Sequence, residues 1–463
     1  MHCVHPFVAF MTLSFSAPAI DIALAKVLNH PFVLTPASVQ LTVSGGNASP
    51  GTISEFILNY SDGQNTFTDT ITYNLPEGAT FTVSHSTPIN LAPGDVRQLT
   101  IWVEASGDPN QSNDTLSFTL YGLLFRPDKV VVLEEGQGTW CEWCPRGYVS
   151  LDSMMAKYGD TLAVVGVHTS VSPKDPMAIQ AYSNWIWSGR VSGIPGATID
   201  RTVDRVNTSN YDTTIAMQKE LHPPASVDVS STINHATTEI IMEVEVQMAA
   251  TLVGDYRVNV IVIENQVTGT TPDYDQENIY SGGAHGPMGN YSSLPNPVPA
   301  SQMVYQYVAR ALGGGIEGDS GSLPFNLPAS STHNYQYIVS LDSVDNPNNV
   351  EVIAIFLDGS TGRILNAGKG SLSTGVTKPL HSTSRLFPNP TTDISYLDLI
   401  LDGGGEVSVS IFDITGKLVD RRAYGRLYGQ QLLPVLTQHW DSGLYFVKVD
   451  LDGSVETFPL MVN

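Results

Sequence analysis

Polar and apolar residues alternate over long stretches of this chain. Ser38-Val39-Gln40-Leu41-Thr42-Val43, Thr52 to Tyr60 and Val96 to Val103 repeat with period two, interrupted by Gly45-Gly46, Ser61-Asp62-Gly63 and Pro93-Gly94-Asp95. Successive side chains of a strand point to opposite faces, so such runs predict half-buried antiparallel strands joined by turns. Residues 20–123 therefore read as an immunoglobulin-like β-sandwich. It holds no catalytic grouping, and spacer or folding scaffold is a simpler role for it than binding through edges or loops.

The pattern changes at about Leu124. Val130 to Leu133 and Leu162 to Val167 are unbroken apolar runs, the mark of strands buried on both faces. Between them Pro145 to Tyr158 reads as a helix with apolar positions at Val149, Leu151, Met154 and Met155. Pro176 to Trp187 and Tyr211 to Leu221 read as further helices, the second stopped by Pro223-Pro224. Strand, helix and strand in alternation predict a parallel β-α-β unit over residues 124–222.

From 223 to 370 β-patterning returns, in Ile240 to Val246, Tyr256 to Ile263, Tyr335 to Val339 and Val350 to Leu357. An insertion rich in Gly, Pro, Tyr and Asn, Thr268 to Ala300, interrupts this module, and Ser301 to Leu312 reads as a helix. Insertions of that length are usually functional or disordered. A Ser/Thr-rich linker, 371–385, precedes a last β-module, 386–463, which reads as a small antiparallel β-sandwich.

Composition fits this picture. Length (463 residues) calls for three or four domains at roughly 150 residues each. Few charged residues (14%) with 40 Gly and 29 Pro describe extracellular β-modules better than a cytosolic helical enzyme. The net charge of −23 repels nucleic acid and anionic membrane surfaces. Phe7 to Phe15 is a short apolar stretch, and Ala17 and Ala19 suit signal-peptidase cleavage, so residues 1–19 read as a signal peptide that lacks the usual Lys/Arg start. No other stretch reaches 18 consecutive apolar residues, which argues against a transmembrane helix. Cleavage would remove Cys3 and leave Cys141 and Cys144 alone in an exported, oxidising setting, where a Cys141–Cys144 disulfide is expected.

These two cysteines carry the candidate chemistry. Trp140-Cys141-Glu142-Trp143-Cys144-Pro145 joins a buried strand to a helix start, the entry to a thioredoxin-like redox site. The unpaired N–H groups and macrodipole of a helix N-terminus lower a thiol pKa, which suits Cys141 as nucleophile and Cys144 as resolving thiol. Glu142 disfavours the Cys141 thiolate and Arg146 opposes that effect. The bland alternative is a structural disulfide. Closing a four-residue loop is worth only about 1.9 kcal/mol in the chain-entropy model, against about 3 for fifteen residues, so the pair is a poor staple.

Ile194-Pro195, leading into the short run Ala197 to Asp200, is a candidate cis-proline facing the pair, with Ile194 offering its backbone to an extended substrate. An ordinary turn proline would read the same. Glu135, six residues before Cys141, is a candidate buried acid that moves the proton during exchange, a solvated strand end being the alternative. Trp143, between the cysteines, is expected partly exposed and in reach of substrate; Trp140, Trp185 and Trp187 could line an apolar groove for a peptide with it, but the core is the simpler expectation for these three. His168 reads as structural. His285, in Gly282-Gly283-Ala284-His285-Gly286, lacks metal-ligand spacing, and neither a metal nor another cofactor is assigned.

Two resemblances bear on function. Val132 to Gly147, with Asn278-Ile279-Tyr280-Ser281-Gly282-Gly283 and Pro295 to Ala311, resembles the outer-membrane-protein-28-related family over roughly residues 124 to 370. The resemblance implies a thioredoxin-like module joined to a β-module in an exported protein, and leaves catalysis open. Leu386-Phe387-Pro388-Asn389-Pro390, Val409 to Val419 and Ser442 to Val449 are similar to the type A C-terminal sorting domain of the type IX secretion system. That implies a partnership of 386–463 with the secretion machinery, although the tail Thr457 to Asn463 lacks the basic residues common in such domains.

The sequence thus predicts an exported protein, at the cell surface or outside the cell, made mostly of β-modules around one α/β segment. Thiol-disulfide exchange on an extracytoplasmic protein thiol or disulfide is one function it suits. A non-catalytic surface binding or adhesion protein that uses the thioredoxin fold as scaffold is the other.

Overall fold

The computed structural model describes residues 20–170, 175–234, 238–371, 385–451 and 454–463. The expected signal peptide and nearly all of the expected linker lie outside these residues. The chain divides into two compact units after Leu372.

Period-two alternation builds the first part as expected. Along Val96–Glu104, Leu99, Ile101 and Val103 point inward while Gln98 and Thr100 face solvent. This strand lies in a five-stranded sheet ordered Phe32–Leu34, Thr115–Leu123, Val96–Glu104, Ile53–Ser61, Thr66–Leu75. A three-stranded sheet of Ile22–Val27, Thr42–Asn47 and Thr80–Ser84 closes over it, with Leu41, Val43, Phe56, Leu58 and Leu120 in the shared core. The expected strand over Ser38 to Val43 is split: Ala37–Val39 pairs with Ile89–Leu91, and Thr42 begins a separate strand. In the loop before Thr115, burial and then the charges of Asp108 and Asp21 push the Asp114 carboxyl up to about 6.

The α/β segment contributes β1 (Val131–Gln137), α1 (Pro145–Tyr158), β2 (Leu162–His168), α2 (Gln180–Trp185), β3 (Gly196–Ile199), β4 (Val203–Val206) and α3 (Tyr211–Lys219). After it come β5 (Tyr256–Glu264), β6 (Val308–Leu312), β7 (Val350–Asp358) and β8 (Ile364–Ser371). All eight strands form one sheet, ordered β4-β3-β1-β2-β6-β5-β7-β8. Strands β1 and β2 run parallel, as the strand-helix-strand pattern requires, and β3 returns antiparallel to β1. The residues read as two modules, 124–222 and 223–370, thus share a sheet.

Both faces of the centre are covered. Val132, Val165 and Val167 pack with Tyr182 and Ile186 on one face, and Val131, Leu133 and Val164 with Leu151, Tyr211 and Ile215 on the other. A three-stranded sheet of Ala225–Asn234, Glu239–Met248 and Thr332–Ser340 shares a core with β5 and β7 through Met242, Val244, Tyr337, Val258 and Val352.

Helix α1 spans the residues expected. Helix α2 starts later, at Gln180, because Asp175 and the turn after it occupy Pro176 to Ile179. The helix expected over Ser301 to Leu312 is not formed: Ala300–Gln302 makes a single 3-10 turn, and Val308–Leu312 enters the sheet between β2 and β5. Helix propensity is a weak prior, and the unfilled ladder between two buried strands outweighs it.

The second unit contains Arg385–Phe387, Ile394–Asp413, Leu418–Leu436, Gly443–Leu451 and Ser454–Val462 in one antiparallel sheet. Leu397, Leu399, Val409, Ile411, Val447 and Val449 form its core.

Candidate functional site

Strand β1 delivers the chain to a tight loop at the start of α1, and this loop holds both cysteines. They are joined as a disulfide with Cα atoms 5.4 Å apart, and the Cys144 N–H donates to the Cys141 carbonyl at 3.1 Å. Cys144 occupies the position before Pro145, the first residue of α1, and the first turn contains no acid to offset the positive helix end. Cys144 is fully buried and Cys141 is 5% exposed.

The Ile194–Pro195 peptide is cis, and the Ile194 carbonyl oxygen lies 3.6 Å from Cys141 Sγ. Pro195 is buried, Ile194 half-buried, and Ser192 and Gly193 before them are exposed. The loop leading into β3 and the loop leading into α1 therefore meet at the sulfur.

Alternation along β1 sends its two glutamates to opposite faces. Glu134 points to the α2 side, where its Oε1 accepts from the Tyr182 hydroxyl at 2.5 Å and Arg201 Nη2 at 2.8 Å. Arg201 also stacks on Trp185 at 4.5 Å and donates to the Ile316 carbonyl. Glu135 points to the α1 and α3 side, fully buried, and accepts from the Tyr211 hydroxyl at 2.9 Å. Burial pushes the Glu135 carboxyl up to about 8, against the opposing pull of Tyr211, Gln137 and the Arg146 charge. Gln137 Oε1 is buried without a donor. A protonated Glu135, with the Gln137 amide turned, gives that oxygen one.

The cysteine loop is strapped from outside by the insertion. Gln276 Nε2 donates to the Cys141 carbonyl at 2.9 Å, while its Oε1 accepts from the Tyr148 hydroxyl of α1 at 2.8 Å. Backbone bonds run from Glu277 N to Thr139 O and from Ile279 N to Glu142 O. Trp143 is half-buried, with the rings of His285 and Tyr280 at 5.1 and 5.9 Å and the Arg146 guanidinium at 5.8 Å. On the inner side, Asp175 Oδ2 accepts from the Thr139 N–H at 2.8 Å and bonds His168 Nδ1 at 2.9 Å. Burial acts to raise the Asp175 carboxyl, but His168 and the amides of Thr139 and Met177 hold it below its ordinary range.

Two clefts flank the loop. One, of about 410 Å³, has Trp140, Glu142, Asp273, Asp275 and Glu277 in its walls. The other, of about 430 Å³, is lined by Arg146, Ser150, Asn207, Thr208 and Ser209.

The structure brings Cys141, Cys144, Ile194 and Pro195 to one point and sets Glu135 behind it, across Gly147. His168 reaches the loop only through Asp175. Trp187, expected in the core, is 39% exposed, because the helix unwinds at Ser188 and Gly189 and turns this ring outward. Sequence reasoning missed Gln276 and Asp175. A single Gln in a polar insertion carries no signal, and Asp175 pairs with residues 36 and 7 positions away. Among the described residues no group of three His, Cys, Asp or Glu gathers as a metal site, and no helix is long and apolar enough to cross a membrane.

Comparison with known proteins locates two segments. Residues 180–374 match the model of outer membrane protein Omp28, beginning after the cysteine pair, and residues 385–463 match the secretion system C-terminal sorting domain. No protein of curated function matches the chain. Among solved structures it is similar to HBP35 of Porphyromonas gingivalis, at 15% identity and a TM-score of 0.40, covering 73% of this chain and 99% of that one. A protein of Agrobacterium tumefaciens matches at 13% identity and a TM-score of 0.32, covering 55% of this chain and 99% of that one. The chain is thus an exported protein of the cell surface, outer membrane or extracellular space whose residues 180–374 match the Omp28 family model and whose residues 385–463 match the type IX secretion sorting domain.

Proposed function

We propose that Cys141 and Cys144 are the reactive pair of a thioredoxin-like site, within residues 124–222, that exchanges thiols and disulfides with extracytoplasmic proteins. The reading rests on the 3.6 Å approach of Cys141 Sγ to the Ile194 carbonyl, beside Pro195. A backbone edge next to a reactive sulfur, reached past the exposed Ser192 and Gly193, gives an extended substrate strand a partner, in the manner of β-augmentation. Ile194 and Trp143 would then contact the substrate, with Pro195 holding the edge.

In the oxidising direction a substrate thiolate attacks Cys141 Sγ, the Cys141–Cys144 bond breaks, and Cys144 leaves as a thiolate. A second substrate thiolate attacks the mixed disulfide, freeing Cys141 and closing the substrate's own disulfide. One disulfide becomes two thiols on the protein as two thiols become one disulfide on the substrate. In reverse, Cys141 is the nucleophile and Cys144 resolves. Glu135, protonated at neutral pH, supplies and recovers the proton that each departing thiolate needs.

A second reading is supported by the strap. With Gln276 bonded to the Cys141 carbonyl and Cys141 only 5% exposed, the α/β segment also suits a rigid scaffold in a surface binding or adhesion protein. Trapping separates the two. Under the exchange reading, Cys144→Ser leaves Cys141 able to hold substrates as mixed disulfides that reductant releases, and the pair has a reduction potential within reach of thiol buffers. If the pair resists such buffers and Cys144→Ser captures nothing, the exchange reading is lost. Surface binding left unchanged by Cys141→Ser would favour the scaffold.

A further inference from the structure

We propose that the cleft lined by Arg146, Ser150, Asn207, Thr208 and Ser209 is a subsite for a carboxylate, the side chain of an Asp or Glu near the reacting cysteine of an extended substrate strand. The proposal rests on the exchange reading for the place of that strand, and goes beyond it by naming what the strand carries.

An unpaired cation carries the inference. Lys129, Arg190 and Arg201 of the same α/β segment each pair with a carboxylate. Arg146 has no ion pair and no side-chain hydrogen bond among the described residues, only the Trp143 ring at 5.8 Å, and its Nε is buried without an acceptor. A buried donor left unmet is costly, and more so on a charged group. Glu135, which feels the Arg146 charge, is protonated at neutral pH and leaves it uncompensated. The missing partner is an anion.

The walls add donors and no rival charge. The side chains of Asn207, Thr208 and Ser209 make no hydrogen bond among the described residues, so an amide and two hydroxyls are free to donate. Ser150 is fixed by donating to the Arg146 carbonyl at 2.8 Å, and no acid lines the cleft. A planar guanidinium offers a carboxylate two parallel N–H···O bonds, and the neutral donors around it meet the remaining lone pairs. At about 430 Å³ the cleft holds an Asp or Glu side chain together with water.

Its place suits the substrate strand. A Cβ on Gly147, next to Arg146, would come within 2.7 Å of Pro195 Cβ. On the other wall Asn207 follows β4, whose Val206 pairs with Ala197 of β3, two residues after Pro195. Both walls are thus tied to the chain flanking the Ile194 edge. Side chains alternate along a strand laid on that edge, so a residue two positions from the substrate cysteine, roughly 7 Å along, shares the face that the cysteine presents. The net charge of −23 repels a uniformly acidic partner, and the cleft therefore selects one acid on an otherwise neutral strand.

The test uses the full oxidised chain and short, otherwise neutral peptides that carry Ser in place of cysteine and Asp or Asn two residues before or after it, with binding read from the anisotropy of a label. One Asp peptide should bind about tenfold more tightly than its Asn counterpart. Arg146→Gln should bring that ratio to about one, and Thr208→Val, which leaves the charge unchanged, should cut it about threefold. Equal binding of the Asp and Asn peptides by the wild-type chain, absence of binding by both, or a ratio that survives Arg146→Gln would each overturn the proposal. So would a ratio untouched by Thr208→Val, which would reduce the cleft to a surface charge, and inorganic phosphate that binds through Arg146 without any preference for Asp peptides, which would assign the cleft to free anions. Should Arg146→Gln fail to fold, Thr208→Val and Ser209→Ala together decide. The exchange reading fails separately: Cys144→Ser then traps no cysteine-bearing version of either peptide, while the ratio measured without a cysteine still decides the subsite.

Discussion

Tyr211 on α3 donates its hydroxyl to Glu135 Oε2 at 2.9 Å, tying the last helix of the α/β segment to a fully buried acid on β1. The Glu135 carboxyl stands at about 8 in the folded chain against an ordinary 4.5, so folding favours its protonated form. Its contribution to stability is fully present below about 4.5 and is lost as pH rises through about 8. Urea midpoints measured from pH 5 to pH 9 should fall across that window. Glu135→Gln, which keeps an acceptor for Tyr211 and cannot ionise, should flatten the fall, each pKa unit removed being worth about 1.4 kcal/mol. An unchanged slope in this variant would show that Glu135 is not the titrating group.

Gly147 lies between Glu135 and Pro195. A methyl group there would collide with Glu135 Oε1 and come within 2.7 Å of Pro195 Cβ. In an open helix Gly→Ala gains up to about 1 kcal/mol, whereas overpacking a rigid core costs about 1 to 3. Because one neighbour is ring carbon and the other a buried acid, the collision should win. Gly147→Ala is expected to lower stability by about 1 to 2 kcal/mol in denaturant titration, and a stabilised variant would contradict this packing.

The buried pair of Glu134 and Arg201 makes a stronger demand. Arg201 is held by Glu134, the Ile316 carbonyl and the Trp185 ring, with almost no solvent contact. Removing one partner of such a pair strands the other charge, at about 3 to 5 kcal/mol. Glu134→Gln should cost that much in chemical denaturation, and the double change Glu134→Gln with Arg201→Met should recover part of it. A single variant within about 1 kcal/mol of wild type would mean that water reaches the pair.

Much of this arrangement could be read from the chain alone. The Cys-x-x-Cys, the apolar strand before it and the proline before β3 are local patterns, and each fixes its own surroundings. Period two also implies that Glu134 and Glu135 face opposite ways, but which one lies near the cysteines depends on where α1, α2 and α3 pack. Strand β6 and the strap were illegible for the same reason. Val308 to Leu312 becomes a strand only because β2 and β5 leave a ladder open, and Gln276 matters only because the insertion folds back over 130 residues to the Cys141 carbonyl.

Asp175 joins stability to the cysteine loop. Its carboxylate accepts from Thr139 N–H and Met177 N–H and bonds His168, and Thr139 stands two residues before Cys141. Its carboxyl is held below the ordinary 3.8, so the stability it supplies is present above that value and is lost as pH falls through the folded one. Asp175→Asn keeps the shape but replaces one acceptor by an N–H group, which must then face a donor. The cost should be about 2 to 3 kcal/mol near neutral pH, shrinking in acid, where the wild-type carboxylate also takes up a proton. Because the loss begins at Thr139, amide exchange of the segment from Gly138 to Cys144 should quicken more than that of α3, which none of the Asp175 bonds to Thr139, Met177 and His168 reaches. Equal acceleration in both would show that Asp175 stabilises the segment as a whole and does not position the loop.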